Sequence, residues 1–357
     1  MRSGIGRAVL VLAASVAGAD EPRLNQFQAI GTHNSYHLRP GPVEVALIEK
    51  KDEGEARSLE YSHRPLDEQL RMGIRQFELD LFADPEGGRF ARPLAFSLGP
   101  LAGLGSPEPH DPEGKLAAAG TKVLHFPNFD FRTTVLSLSD ALAGMQAWSE
   151  AHPGHHPVMV LLELKGMETD WSPEGIRGLE AEILEAIDRG RLLTPDDVRG
   201  GREDLRTAVL EDGWPGLDRC RGRFLLMLDN EGAVRDGYVD PDPSLEGRLL
   251  FPSCRSSEQP AAGWFKVNDA VRDFERIRTL VKAGFLVRTR ADIGLREGRR
   301  NDPTRRQRAL ASGAQWVSTD FPEARKEIGA YRVVFPDGTY VRRLTSGGEE
   351  ERDGKAE

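Results

Sequence analysis

The chain has 357 residues, of which 39% are hydrophobic and 29% are charged. This is the composition of a globular protein with enough apolar residues for a sizeable core, and α/β barrels of such length commonly form one domain. The formal net charge of -9 argues against nucleic acid as a partner and against a broad basic surface for anionic membranes.

The N-terminus has the pattern of an export signal. Arg2 and Arg7 precede an apolar segment at residues 8–16, and residues 17–19 read Ala-Gly-Ala, the small-residue pattern of a cleavage site. We therefore predict a signal peptide over residues 1–19 and a protein that is secreted, extracellular or periplasmic. No other segment of the sequence is long and apolar enough to be a transmembrane segment.

Beyond this signal, short apolar segments alternate with amphipathic ones. Residues 27–37 begin as an apolar strand and end in a turn of polar side chains, the pattern of a buried parallel strand that presents polar groups at its C-terminal end. Further strands are predicted at residues 74–82, 121–125, 157–165, 223–229, 248–251, 285–290 and 315–320. Helices are predicted around Leu66 and Leu70, ended by Gly73, and at residues 138–151, 173–189, 269–282 and 304–312.

This alternation predicts parallel βα units. About eight such units in roughly 300 residues predict a TIM-type (β/α)8 barrel, in which some members are allowed to be irregular. Residues 83–120, rich in Gly and Pro, are expected to form a long loop on one face of the barrel. We expect the barrel domain to occupy residues 20–346 and the charged, Gly-rich residues 347–357 to be a disordered tail.

Cys220 and Cys254 are the only two cysteines of the chain. In an exported protein such a pair favours one disulfide, with two buried free thiols as the alternative. Neither cysteine has the sequence spacing of a zinc site.

Carboxylates lie at the predicted ends of two strands. Glu78 and Asp80 are two residues apart and therefore face the same side of their strand. The two carboxylates repel each other, and a divalent cation between them is the simplest way to compensate that repulsion. The alternatives are a bridging arginine or a pair that is solvated at the rim. Glu163 would add a third carboxylate and Asn34 an amide oxygen. Such hard oxygen donors, completed by water and substrate, favour Ca²⁺ or Mg²⁺ over zinc.

His33 and His125 also follow predicted strands. A single histidine at such a position is more often structural than catalytic, but two histidines beside a cation indicate acid and base catalysis, because imidazole titrates near neutral pH. One would deprotonate an attacking hydroxyl while the other protonates a leaving oxygen. For His37, four residues after His33, we favour a structural or rim role over one behind the catalytic groups.

Three cations near strand ends are candidates for binding an anionic substrate. Lys165 shares a face with Glu163, and it either neutralises a phosphate oxygen or pairs with that carboxylate. Arg288 and Arg290 are candidates for anion recognition. Two further acids end strands and have no assigned role: Asp292 and Asp320.

Four short motifs occur in order at these strand ends: His33-Asn34-Ser35-Tyr36, Glu78-Leu79-Asp80, Val123-Leu124-His125 and Leu162-Glu163. Together they resemble the catalytic barrel of the calcium-dependent phosphoinositide-specific phospholipases C, and most closely the compact secreted bacterial type. The resemblance is best over residues 25–166. It implies a phospholipid substrate at a membrane surface, and we expect a monomeric enzyme.

The resemblance also implies a role for each matching residue. His33 would stabilise the phosphorane-like transition state or assist proton transfer, and His125 would be the general acid at the leaving glycerol oxygen. The inositol 2-hydroxyl would attack phosphorus, which releases diacylglycerol and a cyclic inositol phosphate. One Ca²⁺, in preference to Mg²⁺, would be held by four residues: Asn34, Glu78, Asp80 and Glu163.

The fifth predicted strand departs from the animal members of this family. Residues 224–229 contain no lysine and end in Asp229, which favours unphosphorylated phosphatidylinositol as the substrate.

Two alternatives to this enzyme remain open. Glu163-Leu164-Lys165 and residues 318–322 resemble the glycerophosphodiester phosphodiesterases, although the His-Arg-Gly opening of that group is absent because Asn34 follows His33. The third possibility is a non-catalytic barrel that binds a phosphorylated polyol.

Overall fold

The computed structural model describes residues 21–344. The predicted signal peptide at 1–19 and the predicted tail at 347–357 lie outside the described residues. Among the helices of the described part, none has the length and apolar character that crossing a membrane requires.

A curved sheet of parallel strands, with two short antiparallel strands added to it, forms the centre of the structure. In chain order the strands are β1 Phe27–Thr32, β2 Gln76–Phe82, β3 Lys122–Val123, β4 Val158–Lys165, β5 Phe224–Leu228, β6 Leu250–Pro252, β7 Trp264–Asp269, β8 Leu286–Arg290, β9 Trp316–Thr319 and β10 Val341–Arg343. Eight of them are neighbours in the order β6-β5-β4-β2-β1-β9-β8-β7. A single parallel bridge between Ser253 and Trp264 joins the two ends of this order, so the barrel is nearly closed. The predicted TIM-type (β/α)8 barrel is therefore confirmed, with irregular members.

Helices surround this sheet. Their bounds are α1 Pro42–Glu49, α2 Glu53–Ser58, α3 Leu66–Met72, α4 Ala95–Leu101, α5 Leu138–Ala151, α6 Pro173–Ala186, α7 Pro195–Arg199, α8 Leu205–Glu211, α9 Leu217–Cys220, α10 Gly232–Val239, α11 Phe274–Ala283, α12 Arg296–Arg300 and α13 Thr304–Ala311. The start of α5 shows why such segments are helical. Ser137 accepts a hydrogen bond from the Asp140 N–H as an N-cap, and Leu138, Leu142 and Met145 repeat at helical spacing on the buried face.

The strand β5 and the first five residues of β4 are apolar on both faces. In β4 the five residues from Val158 to Leu162 are all buried, because the barrel interior covers one face and helices cover the other. Polar residues begin where β4 reaches the C-terminal end of the barrel, at Glu163 and Lys165. The fold thus places the polar groups of several strands at one end, which we call the mouth.

The third predicted strand is not a member of the parallel barrel. β3 has two residues and pairs antiparallel with the end of β2, through Leu81 with Val123 and Phe82 with Lys122. The long loop at 83–120 therefore returns as the second arm of a hairpin. The sequence could not reveal this direction, because a short apolar segment has the same pattern in either orientation.

The strand β7 was missed, and the helix predicted at 269–282 begins later than expected. Lys266 and Asn268 interrupt the apolar pattern of β7 because both serve polar partners at the mouth. Asp269 ends the strand and accepts hydrogen bonds from the backbone N–H groups of Val271 and Arg272, so α11 begins only at Phe274.

The expectation of a disulfide is wrong. Within residues 21–344, Cys220 and Cys254 are both free and buried. Their thiols face different carbonyls, those of Pro215 and Pro252. Burial raises the pKa of Cys220 to about 11 and that of Cys254 to about 12, which makes both unreactive as thiolates at neutral pH.

Candidate active site

The turn after β1 is fixed against β2. Asn34 has a φ of 45°, a left-handed conformation that asparagine tolerates better than most residues. The Ser35 N–H donates to the Glu78 carbonyl at 2.9 Å, and the Ser35 hydroxyl accepts from the Glu78 N–H at 2.8 Å. Gly31 is needed below the turn, since a Cβ there would lie 2.0 Å from Gln76 Oε1. The turn therefore holds a constant position relative to the acids of β2.

Three carboxylates meet at the mouth. Glu78 and Asp80 project from β2, and Glu163 of β4 is the register partner of Asp80. One carboxylate oxygen from each of the three lies within 4.8 Å of the others. The sequence predicted this convergence, and its geometry suits a divalent cation.

Asp80 is the least compensated member of this cluster. Its side chain is buried, and its Oδ1 atom has no hydrogen-bond partner among the described residues. Burial raises the pKa of Asp80 well above its usual range, and Glu163 and Glu78 raise it further against the opposing effect of Lys165. A cation bound next to such a buried carboxylate would stabilise its ionised form.

The predicted anion-binding cations Lys165 and Arg288 contact the acids themselves. Lys165 Nζ lies 2.9 Å from Glu163 Oε1 and 3.2 Å from Asp80 Oδ2. Arg288 is buried and donates to Glu78 Oε2, and its Nε donates to Ser318 Oγ at 2.6 Å. Burial alone would raise the pKa of Glu78, but Arg288 and His33 bring it below its usual value. Glu78 thus has an arginine partner within the fold.

His33 has a carboxylate behind it. Its Nδ1 lies 2.8 Å from Asp320 Oδ1, and its Nε2 lies 3.8 Å from Glu78 Oε1. Arg290, the third predicted anion-binding cation, donates to the second oxygen of Asp320 at 3.3 Å. Although burial opposes ionisation, His33 and Arg290 hold the pKa of Asp320 well below its usual range. Asp320 had no role in the sequence analysis; its signal was its position at the end of β9.

Asn34 lies in the same turn as His33 and is buried. Burial raises the pKa of Tyr61 well above its usual value, and the nearby Asn34 side chain opposes that effect. Asn34 is therefore at the mouth, next to the β2 acids to which its turn is bonded.

His125 follows the short strand β3, and the backbone next to it is tied to the acidic cluster through a bond from the Leu124 N–H to the Asp80 carbonyl at 3.2 Å. His125 Nδ1 lies 2.6 Å from Asp130 Oδ2. The same carboxylate contacts His37 Nε2, at 3.0 Å from Oδ1 and 2.9 Å from Oδ2. Burial lowers the pKa of His125 even though Asp130 raises it. Neither Asp130 nor a link through His37 was predicted.

One further ion pair lies at the mouth. Lys266 of β7 contacts Asp229 at the end of β5, with Nζ 2.6 Å from Oδ2. The sequence of strand five contains no lysine and ends in this acid. The structure brings that lysine from a strand that was not predicted.

Residues 22–344 match the sequence profile of the family described as phosphoinositide phospholipase C, Ca²⁺-dependent. The chain belongs to this family. It is thus a member of a family of calcium-dependent phospholipase C enzymes, and the recognition made from the four motifs is confirmed.

Two solved phospholipases C have a similar fold. One is a calcium-dependent phosphoinositol-specific phospholipase C from a Pseudomonas species, in complex with myoinositol, with 15% identity, a TM-score of 0.55, and coverage of 91% of this chain and 96% of that chain. The other is a Ca²⁺-dependent phosphatidylinositol-specific phospholipase C from Streptomyces antibioticus, with 17% identity, a TM-score of 0.50, and coverage of 84% and 94%. At these identities the likeness shows the fold alone. No curated protein sequence matches the chain.

Proposed function

We propose that this protein is an exported phospholipase C that cleaves unphosphorylated phosphatidylinositol into diacylglycerol and a cyclic inositol phosphate. One observation carries the proposal. The under-compensated carboxylate of Asp80 lies with Glu78 and Glu163 within 4.8 Å, at the same end of the barrel as two histidines that each have a carboxylate at Nδ1. Export is supported by the composition of residues 1–19.

The donors at this site fit one Ca²⁺. Asn34, Glu78, Asp80 and Glu163 would hold it, since all four offer oxygen and Asp80 has an unpartnered one. We favour Ca²⁺ over Mg²⁺ because Mg²⁺ keeps several waters and is seldom bound by so many protein oxygens. When bound, the cation lowers the pKa of the attacking hydroxyl and offsets charge on the phosphate.

His33 has the geometry of a general base. Asp320 stays ionised and accepts the Nδ1 proton, so the neutral imidazole keeps its lone pair on Nε2. That nitrogen faces the mouth beside Glu78. It can take the proton of the inositol 2-hydroxyl as the oxygen attacks phosphorus, and the resulting imidazolium is stabilised by Asp320 and lies close to the charge of the phosphorane-like transition state.

His125 has the geometry of the general acid. Its Nδ1–H donates to Asp130, which leaves Nε2 to carry the proton that is delivered to the leaving glycerol oxygen. The side chain is 12% exposed, enough to reach a substrate from a largely dry environment. The two histidines therefore divide the base and acid steps between separate carboxylate partners.

The three basic residues orient the acids. Arg288 and Arg290 are buried against Glu78 and Asp320, so they position these carboxylates from behind. Lys165 is 26% exposed and can contact a phosphate oxygen in addition to its two acids. The preference for an unphosphorylated ring is supported by the ion pair of Lys266 with Asp229, which occupies a lysine that could otherwise contact a ring phosphate.

The test is hydrolysis of phosphatidylinositol vesicles with and without a calcium chelator, followed by ³¹P NMR of the water-soluble product. We expect calcium-dependent release of a cyclic phosphate, and His33→Ala should lower kcat by several orders of magnitude. Full activity in excess chelator would contradict the metal role. Direct release of glycerol phosphate from glycerophosphoinositol would favour the glycerophosphodiesterase alternative. Calorimetric binding of inositol phosphate without any turnover would favour the non-catalytic barrel.

A further inference from the structure

One carboxylate serves two histidines at the mouth. Asp130 is completely buried, and its side-chain contacts are His125 Nδ1 at 2.6 Å and His37 Nε2 at 2.9 and 3.0 Å. Its backbone is fixed as well, since the Asp130 and Phe126 N–H groups donate to each other's carbonyls at 2.9 and 3.0 Å. Asp130 therefore cannot turn toward one histidine without giving up contact with the other.

The His37 ring is held on every side. Its Nδ1 lies 3.1 Å from the Tyr61 carbonyl oxygen and its Nε2 lies 2.9 Å from the Asp130 carboxylate; both partners only accept, so both ring nitrogens donate and the ring is an imidazolium paired with Asp130. Its face stacks on Tyr61 with ring centroids 4.3 Å apart, and it meets the His125 ring edge-on at 5.8 Å. Because the ring is 0% exposed, it cannot exchange its protein partners for water. His37 thus presents Nε2 to Asp130 in one fixed orientation.

We propose that His37 is a positioning residue for the acid step, which acts on His125 through the shared carboxylate Asp130. His37 fixes the orientation of that carboxylate and takes up part of its capacity to accept hydrogen bonds. His125 then donates to a carboxylate whose negative charge is shared with His37. That carboxylate still holds the His125 ring in place, and the His125 Nε2–H is a stronger acid than it would be if Asp130 faced His125 alone. This inference rests on the proposed role of His125 and goes beyond it, because His37 contacts no substrate.

The effect of His37 on His125 can be separated from that of the other groups near His125. The charged or titratable side chains with the largest effect on His125 are Asp130, His37 and Lys165 of β4. Lys165 is held by Glu163 and Asp80 and does not contact Asp130 or His37 in the described structure. A change at His37 therefore reaches His125 by two routes, through Asp130 and through the edge-on contact of the two rings, and H37Q separates them because it keeps the donor to Asp130 but not the ring.

Two substrates with different leaving groups test this inference. Phosphatidylinositol in detergent micelles expels an alkoxide and needs an acid, whereas p-nitrophenyl myo-inositol phosphate expels an acidic phenol and needs almost none. Both require the same attack by the inositol hydroxyl. The ratio of the two kcat values therefore reports the acid step alone.

His37→Asn and His37→Gln are the matched variants. The shorter amide of H37N can replace Nδ1 at the Tyr61 carbonyl but cannot reach Asp130, whereas the amide of H37Q can replace Nε2 as a donor to Asp130. We expect H37N to lose at least about tenfold on phosphatidylinositol and less than about threefold on the nitrophenyl substrate, since general acids contribute about 10²–10⁴-fold. H37Q, which keeps the donor to Asp130 but not the charge of the ring, should change the ratio less than H37N does, and Asp130→Ala, which removes the carboxylate from both histidines, should reproduce the H37N pattern more strongly.

The outcomes separate this inference from the proposed function. Equal losses on both substrates in H37N, or an unchanged ratio, would overturn the positioning role and indicate that His37 only fills the core. If H37N does not fold by circular dichroism, the ratio is read from His37→Phe, which keeps a ring against Tyr61 but offers no donor to Asp130; a changed ratio supports the role and an unchanged ratio overturns it. A wild-type enzyme that cleaves neither substrate would instead reject the proposed function.

Discussion

Replacing Asp80 with asparagine should stabilise the metal-free protein and remove its response to calcium. Asp80 has carboxylate neighbours within 4.8 Å in Glu78 and Glu163, and Lys165 Nζ at 3.2 Å. With an effective dielectric constant of about 20, each repulsion costs about 3.5 kcal/mol and the attraction returns about 5 kcal/mol. The two repulsions together therefore exceed the attraction by about 2 kcal/mol. The neutral amide of D80N does not have this net cost, so the free energy of unfolding should increase by about that amount. For a chain of this size the increase corresponds to a rise of about 3 °C in Tm.

The raised pKa of Asp80 gives the prediction a second signature. The folded protein binds a proton at Asp80 more tightly than the unfolded chain does, so this group favours folding at low pH and ceases to do so as the pH rises above about 4 toward the folded pKa. In chelator, the advantage of D80N over wild type should therefore grow with pH across this window. Saturating calcium should reverse the order, because a ligand at about 100 times its Kd adds about 2.7 kcal/mol to wild type only.

The assay is thermal unfolding followed by circular dichroism, in chelator and in excess calcium, from pH 5 to pH 8. Asp84→Asn is the matched control, because Asp84 is equally buried but lies outside the acidic cluster and 3.4 Å from Lys122. D84N should lower Tm in chelator and keep the calcium response. The reasoning is refuted if D80N is destabilised in chelator as much as D84N, or if it keeps the full calcium response.

Three further predictions concern other groups. Burial lowers the pKa of His63 to about 3, so the protein should lose stability as the pH falls below about 6.5. His63→Gln keeps a side-chain N–H donor to the His33 carbonyl, and in urea titrations it should reduce the loss of stability between pH 6.5 and 5 by about 2 kcal/mol. An unchanged loss would exclude His63 as its source. Asp320→Asn should lower kcat by about 10²-fold or more with little change in KM, because His33 loses the charge that stabilises its protonated form; an effect on KM alone would contradict this. Reducing agent should leave Tm unchanged, and two thiols should titrate only after denaturation, because Cys220 and Cys254 are buried and free; a drop in Tm would reveal a disulfide.

The sequence predicted those parts of the site that a strand pattern can show. Glu78, Asp80 and Glu163 converge because β2 and β4 are adjacent parallel strands in register, and the sequence showed that each of these acids lies toward the C-terminal end of its strand. The partners behind the histidines were not predicted. Asp130 and Asp320 reach His125 and His33 across 5 and 287 positions of the sequence, and nothing in the local pattern distinguishes them from other acids.

The errors in the fold have the same origin. β7 was missed because its polar residue Lys266 faces a partner on another strand, so its apolar pattern is broken for a tertiary reason. The direction of β3 was missed because a two-residue strand has no periodicity to read. Helices with a cap and a repeating apolar face, such as α5, were predicted from residue to residue.

The weakly bonded contact between β6 and β7 affects where the barrel opens during thermal fluctuations. Where β6 meets β7, one backbone bridge is supplemented by side chains: the Trp264 indole donates to the Phe251 carbonyl at 2.6 Å, and Ser253 Oγ accepts from the Lys266 N–H at 3.0 Å. This contact opens at a lower free energy than a strand pair with a full set of backbone hydrogen bonds, so thermal fluctuations should separate β6 from β7 before any other pair of barrel strands. The strands β1, β2 and β4 lie mid-way along the sheet order, farthest from that contact, and the reacting groups they carry keep their spacing while the opposite wall loosens.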